Sequence, residues 1–142
     1  MRQGPLLEQE LTESIIGAFY DAYNELRFGY LENVYRAAME ELLRSHGHVV
    51  MREVAVPVYF RGKEIARQRL DMVVDGRVVV EIKSTDILHP SAHRQLLSYL
   101  KSTELEVGLL LHFGPEARFY RAVTTKKIRA QNDPSDPPDP IR

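Results

Sequence analysis

The sequence predicts an α/β domain with a mixed central β-sheet flanked by helices, in the order α-α-β-β-β-α-β-β. Three observations predict it. Apolar residues recur at three- and four-residue steps through residues 11–43, and from Val49 onward the apolar period changes to two. A single helical pattern over residues 92–100 then stands between two strand patterns. A helix placed between strands requires a crossover connection, and so at least one parallel strand pair.

The first helix is read from Leu11, Ile15, Ala18, Phe19, Ala22 and Leu26, which share one face. Phe28-Gly29-Tyr30 interrupts it. Leu31, Val34, Tyr35, Ala38, Met39, Leu42 and Leu43 carry a second helix, with Gly47 as its C-terminal stop. Val54, Val56, Val58 and Phe60 alternate as a strand, turned by Arg61-Gly62. Glu64–Val74 and Arg77–Ser84 read as two further strands joined around Asp75-Gly76, a strong hairpin signal. Behind His89-Pro90, the residues Ala92, Leu96, Leu97 and Leu100 give a helix to about Thr103. Glu106–Phe113 contains the run VGLLLHF, which fits a strand buried on both faces, and Ala117–Val123 is a shorter last strand.

At 142 residues the chain has room for one domain, placed at residues 1–129. Residues 130–142, AQNDPSDPPDPIR, hold four of the eight prolines and three acids, the composition of a flexible tail. No apolar run approaches the roughly 18 residues needed to cross a bilayer. The N-terminal MRQGPLLEQELTESI carries acids where a signal peptide needs an apolar core, so the expected location is cytoplasmic. The absence of cysteine excludes disulfide frameworks, thiolate metal sites and cysteine nucleophiles. The formal net charge is −1, yet residues 48–129 hold 14 Lys and Arg against 9 acids. A basic central region is compatible with a polyanion without demanding one. Phosphate-binding GxxxxGK[ST] loops, GxGxxG fingerprints and GxSxG elbows are all missing from the sequence.

Chemistry concentrates in residues 69–83, RLDMVVDGRVVVEIK, which put an acid on one hairpin strand and an acid-x-lysine on the other. Alternation places Glu81 and Lys83 on one face, opposite Val78, Val80 and Ile82. The turn decides whether Asp71 joins them. A two-residue Asp75-Gly76 turn pairs Asp71 with Val80 and sends the two acids to opposite faces. A three-residue Val74-Asp75-Gly76 loop, with Gly76 left-handed in a bulge, pairs Asp71 with Val79 and brings Asp71, Glu81 and Lys83 onto one face, so the chemistry predicts the odd-length turn. Two converging carboxylates and an ammonium suit a hard divalent cation such as Mg²⁺ or Mn²⁺, which needs few protein ligands when substrate phosphates complete its shell. The competing explanation is a salt bridge on a half-exposed strand.

This arrangement of a helix, a D…ExK hairpin and a crossover helix resembles the PD-(D/E)XK nuclease superfamily. Gly29-Tyr30-Leu31-Glu32-Asn33-Val34-Tyr35 is similar to the motif that names the GxxExxY proteins within it, and Gln95-Leu96-Leu97-Ser98-Tyr99-Leu100 to their QLxxYL helix. Leu70 stands where the superfamily name has proline. The resemblance implies a minimal restriction-endonuclease-like core. It implies Asp71 and Glu81 as principal metal ligands, Glu32 as a further acid from the second helix, and Lys83 as the catalytic lysine. It also implies a glutamine, here Gln95, reaching towards the site from the crossover helix. For Glu32 the alternative is a favourable contact with the helix N-terminus, for Tyr35 core packing, and for Gln95 and Tyr99 an exposed amide and a half-buried phenol.

The expected function is therefore Mg²⁺- or Mn²⁺-dependent hydrolysis of nucleic-acid phosphodiesters, DNA first, with Asp71, Glu81 and Glu32 at the metal and Lys83 positioning water. The alternative is a non-catalytic nucleic-acid-binding or protein-interaction module on the same fold. A homodimer would suit cleavage of two strands, with the apolar strand near the C-terminus as a contributing surface. His89 and His93 are four apart without a third ligand, and are read as helix-start residues. Lys126, Lys127 and Arg129, with Arg94 and Lys101, form a candidate phosphate-facing set whose default reading is solvated charge.

Overall fold

A computed structural model describes residues 6–126 of the chain. The order is α1 (Gln9–Leu26), α2 (Glu32–Ser45), β1 (Val50–Phe60), β2 (Lys63–Val74), β3 (Val78–Lys83), α3 (Ser91–Lys101), β4 (Val107–Phe113) and β5 (Ala117–Val123). Every element stands in the order the sequence predicts. The proline-rich segment 130–142, Lys127 and Arg129 lie outside the described residues.

The sheet order is β1-β2-β3-β4-β5, and only the β3–β4 pair is parallel. That pair flanks α3 in sequence, as the crossover argument requires. Alternation along β3 sorts the core into two layers. Val78, Val80 and Ile82 pack with Ile15, Phe19, Tyr35 and Met39 of α1 and α2, whereas Val79 packs with Leu96 and Leu100 of α3. Covered on both faces, β4 is buried along its whole length. Each fully buried aliphatic side chain there contributes about 1.5–3 kcal/mol of transfer free energy. This corrects the expectation that the apolar strand near the C-terminus offers a dimer surface: β4 is enclosed between β3 and β5, its apolar faces already used within the chain. No helix among the described residues is long and apolar enough to cross a membrane.

Tyr35 is a core residue, fully buried and stacked on Phe113 at 4.1 Å between ring centroids. Its hydroxyl donates to the Arg27 carbonyl and accepts the Tyr30 N–H at 3.2 Å, closing the loop between α1 and α2. Gly29 in that loop has φ +131°, a conformation closed to most side chains, and no atom stands within 4 Å of where its Cβ would be. Its value is therefore backbone freedom.

His48 ties three elements together. Its Nε2 lies 2.8 Å from Ser14 Oγ on α1, and its Nδ1 lies 2.7 Å from Asp75 Oδ2 in the β2–β3 loop. The other Asp75 oxygen accepts the Val49 N–H at 2.8 Å. A serine, a histidine and an aspartate in one chain look like a nucleophilic triad. Ser14, however, is the sixth residue of α1, past the turn whose N–H groups are free, so no backbone oxyanion donors accompany it. The chain fixes the loop that sets the hairpin register.

Candidate active site

The β2–β3 hairpin determines whether the two acids meet. Asp75 and Gly76 both have positive φ, 53° and 65°, and the Arg77 N–H donates to the Val74 carbonyl at 3.0 Å. This is the signature of a type I′ turn. The ladder resumes only at Val74↔Val78, so Arg77 is an extra residue and the loop, 75–77, has an odd length. The odd length and the left-handed Gly76 agree with the sequence reading. The register does not: the loop is Asp75-Gly76-Arg77 rather than Val74-Asp75-Gly76, and Val79 pairs with Val73, not with Asp71. The reason is that buried Val74 stays in the ladder while His48 and Val49 hold the Asp75 side chain at the turn.

The ladder Val74↔Val78, Val73↔Val79, Met72↔Val80 extrapolates to Asp71 opposite Glu81, and there the backbone pairing stops. The side chains take over. Glu81 Oε2 accepts the Asp71 N–H at 2.6 Å, and Asp71 Oδ2 accepts the Ile82 N–H at 2.8 Å. Each carboxylate thus fills a donor left by the parting strands, which locks both acids at the same point. Alternation in β2 also breaks at this residue. Leu70 packs in the α3 layer and Met72 in the α1–α2 layer, although they are two apart. Glu53, between the Arg52↔Met72 and Val54↔Leu70 pairs, adopts φ 51°.

Glu81 is 3% exposed. Burial first, and then the charge of Asp71, push its carboxyl up to about 8, against the Asp71 N–H hydrogen bond and the positive charges of Lys83 and Arg36. The Tyr99 phenol of α3 is raised to about 12, by burial and then by the negative charge of Glu81 and Asp71. Lys83 ends β3 and is half-buried. It opens on a cleft of about 610 Å³ whose walls include Glu32, Gln68, Arg94, Gln95 and Ser98. Gln95 is exposed on that wall, and Gln68 donates to Ser98 Oγ at 2.5 Å. A cleft of similar size, about 640 Å³, lies by the start of α1, but Glu8 on its wall pairs with Arg77 at 3.1 Å and neither Asp71, Glu81 nor Lys83 reaches it.

Glu32 occupies the first position of α2. One oxygen accepts the Ser84 N–H at 3.0 Å, pinning the turn after β3, and the other pairs with Arg36 Nη2 at 2.9 Å. Arg36 Nε in turn stands 3.0 Å from Asp71 Oδ1, a close charge contact in which the N–H is not aimed at the oxygen. The structure brings Asp71 and Glu81 together, leaves Lys83 close enough for its charge to act on Glu81, and sets Glu32 across an arginine from Asp71. Sequence reasoning passed over Arg36, although its place four residues after Glu32 is a helix-pairing signal. Ser84 and Gln68 carried no such signal. Arg36→Ala leaves Glu32 and Asp71 facing each other without a counter-ion. With side-chain exposures of 25% and 16% for the Arg36–Asp71 pair, the expected loss is about 1–2 kcal/mol, read from urea unfolding in EDTA.

The donor set is all oxygen and carries no histidine, which suits Mg²⁺ or Mn²⁺ far better than zinc. Two opposed carboxylates, one of them pushed towards its neutral form by burial and then by the other, are what a divalent cation would relieve. Asp71 and Glu81 fit a two-carboxylate site; among the described residues no three acids or histidines stand as a ready ligand set, and Arg36 stands between Glu32 and Asp71. His89 and His93 do not converge either, since His89 Nδ1 bonds Ser91 and the His93 ring meets Tyr120 edge-on. Lys126 Nζ caps α3 by donating to the Leu100 carbonyl at 2.7 Å, away from any phosphate-facing role.

The sequence model of the PD-(D/E)XK nuclease superfamily matches residues 9–123, and the chain belongs to that superfamily. Its members are typically dependent on a divalent metal. Among solved structures the chain is similar to one described as the crystal structure of SSO0001, with a TM-score of 0.51 and 23% identity. The likeness, which is one of fold, covers 84% of this chain and 61% of that one. No curated protein matches the chain.

Proposed function

We propose that the chain is a divalent-metal-dependent phosphodiesterase acting on nucleic acid, with DNA as the first substrate to test. The observation that carries this is the meeting of Asp71 and Glu81 where β2 and β3 part, with Lys83 two residues further along β3 at the mouth of a cleft. The similarity of residues 29–35 to the GxxExxY motif supports the same reading.

Asp71 and Glu81 would hold the ion, which when bound polarises a phosphoryl oxygen and makes a bound water acidic. The other steps belong to the chain itself. Lys83 follows Glu81 by two residues on β3 and opens on the cleft, where its ammonium can orient a water molecule and offset negative charge growing on the phosphorane. Arg94 and Gln95 on the cleft wall offer donors to flanking phosphate oxygens. Glu32 acts through structure: by holding Ser84 and Arg36 it fixes the end of β3 and the side of Asp71 turned towards α2. Gln95, exposed and bonded to no protein group among those described, is free to meet substrate.

The test is a cleavage screen in Mn²⁺ on labelled duplex DNA, single-stranded DNA and RNA, run in parallel with Asp71→Asn. Cleavage by the wild type that Asp71→Asn loses by at least about a hundredfold is expected, since one of two ion ligands is gone. One observation favours a second reading, a binding module without catalysis: Arg36 already supplies Asp71 and Glu32 with a protein counter-ion. Retention of Mn²⁺ with no cleavage of any of the three substrates selects that reading.

A further inference from the structure

The longest pairing in the sheet lies outside its body. β2 pairs with β3 only through residues 72–74, whereas its pairing with β1 runs from Val74 back to Lys63. Residues 54–70 therefore form a two-stranded ribbon that leaves the sheet at Asp71, at the C-terminal end of the parallel β3–β4 pair where Lys83 lies. From Asp71 to Lys63 is about 27 Å at ~3.4 Å per residue. One side of the ribbon's root is packed: Val56 and Leu70 join the α3 layer, and Gln68 lines the cleft and bonds Ser98. The rest is open.

The open part is basic. Residues 54–69 hold Arg61, Lys63, Arg67 and Arg69 against the single acid Glu64, in a chain whose formal net charge is −1. All four basic side chains are exposed. Only Arg67 has a partner among the described ion pairs, Glu64 at 2.9 Å. Arg61 at the tip stacks over Phe60 at 5.1 Å, and Tyr59, Phe60 and Ile65 are exposed beside it. Beyond its packed root at Val56 and Leu70, the ribbon leaves Tyr59, Phe60 and Ile65 exposed and carries arginines without an ion-pair partner among the described residues, so its outer part adds nothing to the core.

We infer that this ribbon is an arm that grips the phosphate backbone of duplex nucleic acid next to the cleft. The inference rests on the reading of Asp71, Glu81 and Lys83 as a phosphodiester-cleaving centre, and adds the form of its substrate. A two-stranded β-ribbon fits the major groove, about 12 Å wide. An arm of about 27 Å spans most of a helical turn of ~34 Å, so its cations can reach phosphates on both sides of a scissile bond held at the cleft. A single strand, flexible and without a groove, would use the cleft and not the arm's length. The position of the arm's root, with Gln68 on the cleft wall, makes the two surfaces continuous.

The experiment compares the wild type with the triple variant Arg61→Ala/Lys63→Ala/Arg69→Ala and with the charge-keeping Arg61→Lys/Arg69→Lys. Binding of a fluorescein-labelled duplex and of its single strand is followed by anisotropy in Ca²⁺ over a range of salt, and Mn²⁺ binding by calorimetry. The triple variant is expected to bind duplex about 10- to 100-fold more weakly at low salt, with the slope of log K against log salt reduced by about 0.9 for each phosphate no longer neutralised. Single-strand binding changes little, the lysine variant keeps the wild-type slope, and Mn²⁺ binding is the same in all three. Unchanged duplex affinity and slope in the triple variant would overturn the arm, as would equal losses for duplex and single strand. A wild type that binds neither nucleic acid overturns it too, and the Mn²⁺ titration then says separately whether the metal centre stands.

Discussion

In EDTA, Glu81→Gln is expected to make the protein more stable at about pH 9 and to flatten the dependence of its stability on pH. Burial and the neighbouring Asp71 raise the Glu81 carboxyl from 4.5 to about 8 in the folded protein. Between those values the folded chain keeps a proton that the unfolded chain has released. Folded protein then binds more protons than unfolded, so stability falls as pH rises, by at most about 1.4 kcal/mol per pH unit. The loss is complete above the folded value. It is absent below the unfolded one. Glutamine keeps an oxygen for the Asp71 N–H, carries no charge, and can donate to the Asp71 carboxylate. The variant should gain on the order of 3 kcal/mol near pH 9 and little near pH 4.5, from urea unfolding at a series of pH values. Parallel curves for the two proteins would mean that Glu81 is ionised in the fold without cost, and that its burial has been offset by groups other than those described.

Lys83→Ala is expected to separate chemistry from metal binding. The charge of Lys83 reaches Glu81, yet Lys83 is no ligand for a cation and its charge opposes one. Its loss should leave Mn²⁺ affinity equal or slightly higher while cleavage falls by about 10²–10³-fold, the usual scale for removing one preorganised charge from a developing anion. The effect belongs in kcat, with KM little altered. A parallel loss of metal affinity and cleavage would instead make Lys83 a structural partner of Glu81.

The order of elements was legible because each pattern is strong where the core is closed. VGLLLHF at residues 107–113 is buried throughout, and the α1 and α2 stripes contain most of the buried residues of both helices, missing Thr12 and Tyr23 and wrongly including Leu31, which is 78% exposed ahead of α2. The site was legible in part. An odd hairpin loop followed from asking that Asp71, Glu81 and Lys83 share a face, and the loop is odd. Its register could not be read, because Arg77 becomes the extra residue only through the hold of His48 and Val49 on Asp75, partners 27 and 26 residues away in sequence. The switch of faces at Asp71 is equally silent, since Leu70 and Met72 satisfy simple alternation on paper. Glu32 shows the limit of a motif. Its spacing to Tyr35 is right and α2 starts on it, but Arg36 and Ser84 take its oxygens. Of the three acids, Asp71 and Glu81 face each other, and Glu32 stands beyond Arg36 with its oxygens on Arg36 and Ser84.

The central claim is that Asp71 and Glu81 form one divalent-cation site, and calorimetric titration of Mn²⁺ into the wild type, Asp71→Ala and Glu81→Ala tests it without any assumption about substrate. The account predicts binding of about one or two ions by the wild type and none by either variant, each variant remaining folded by circular dichroism. Equal Mn²⁺ binding by the wild type and both variants, or no binding by the folded wild type at millimolar metal, would contradict it.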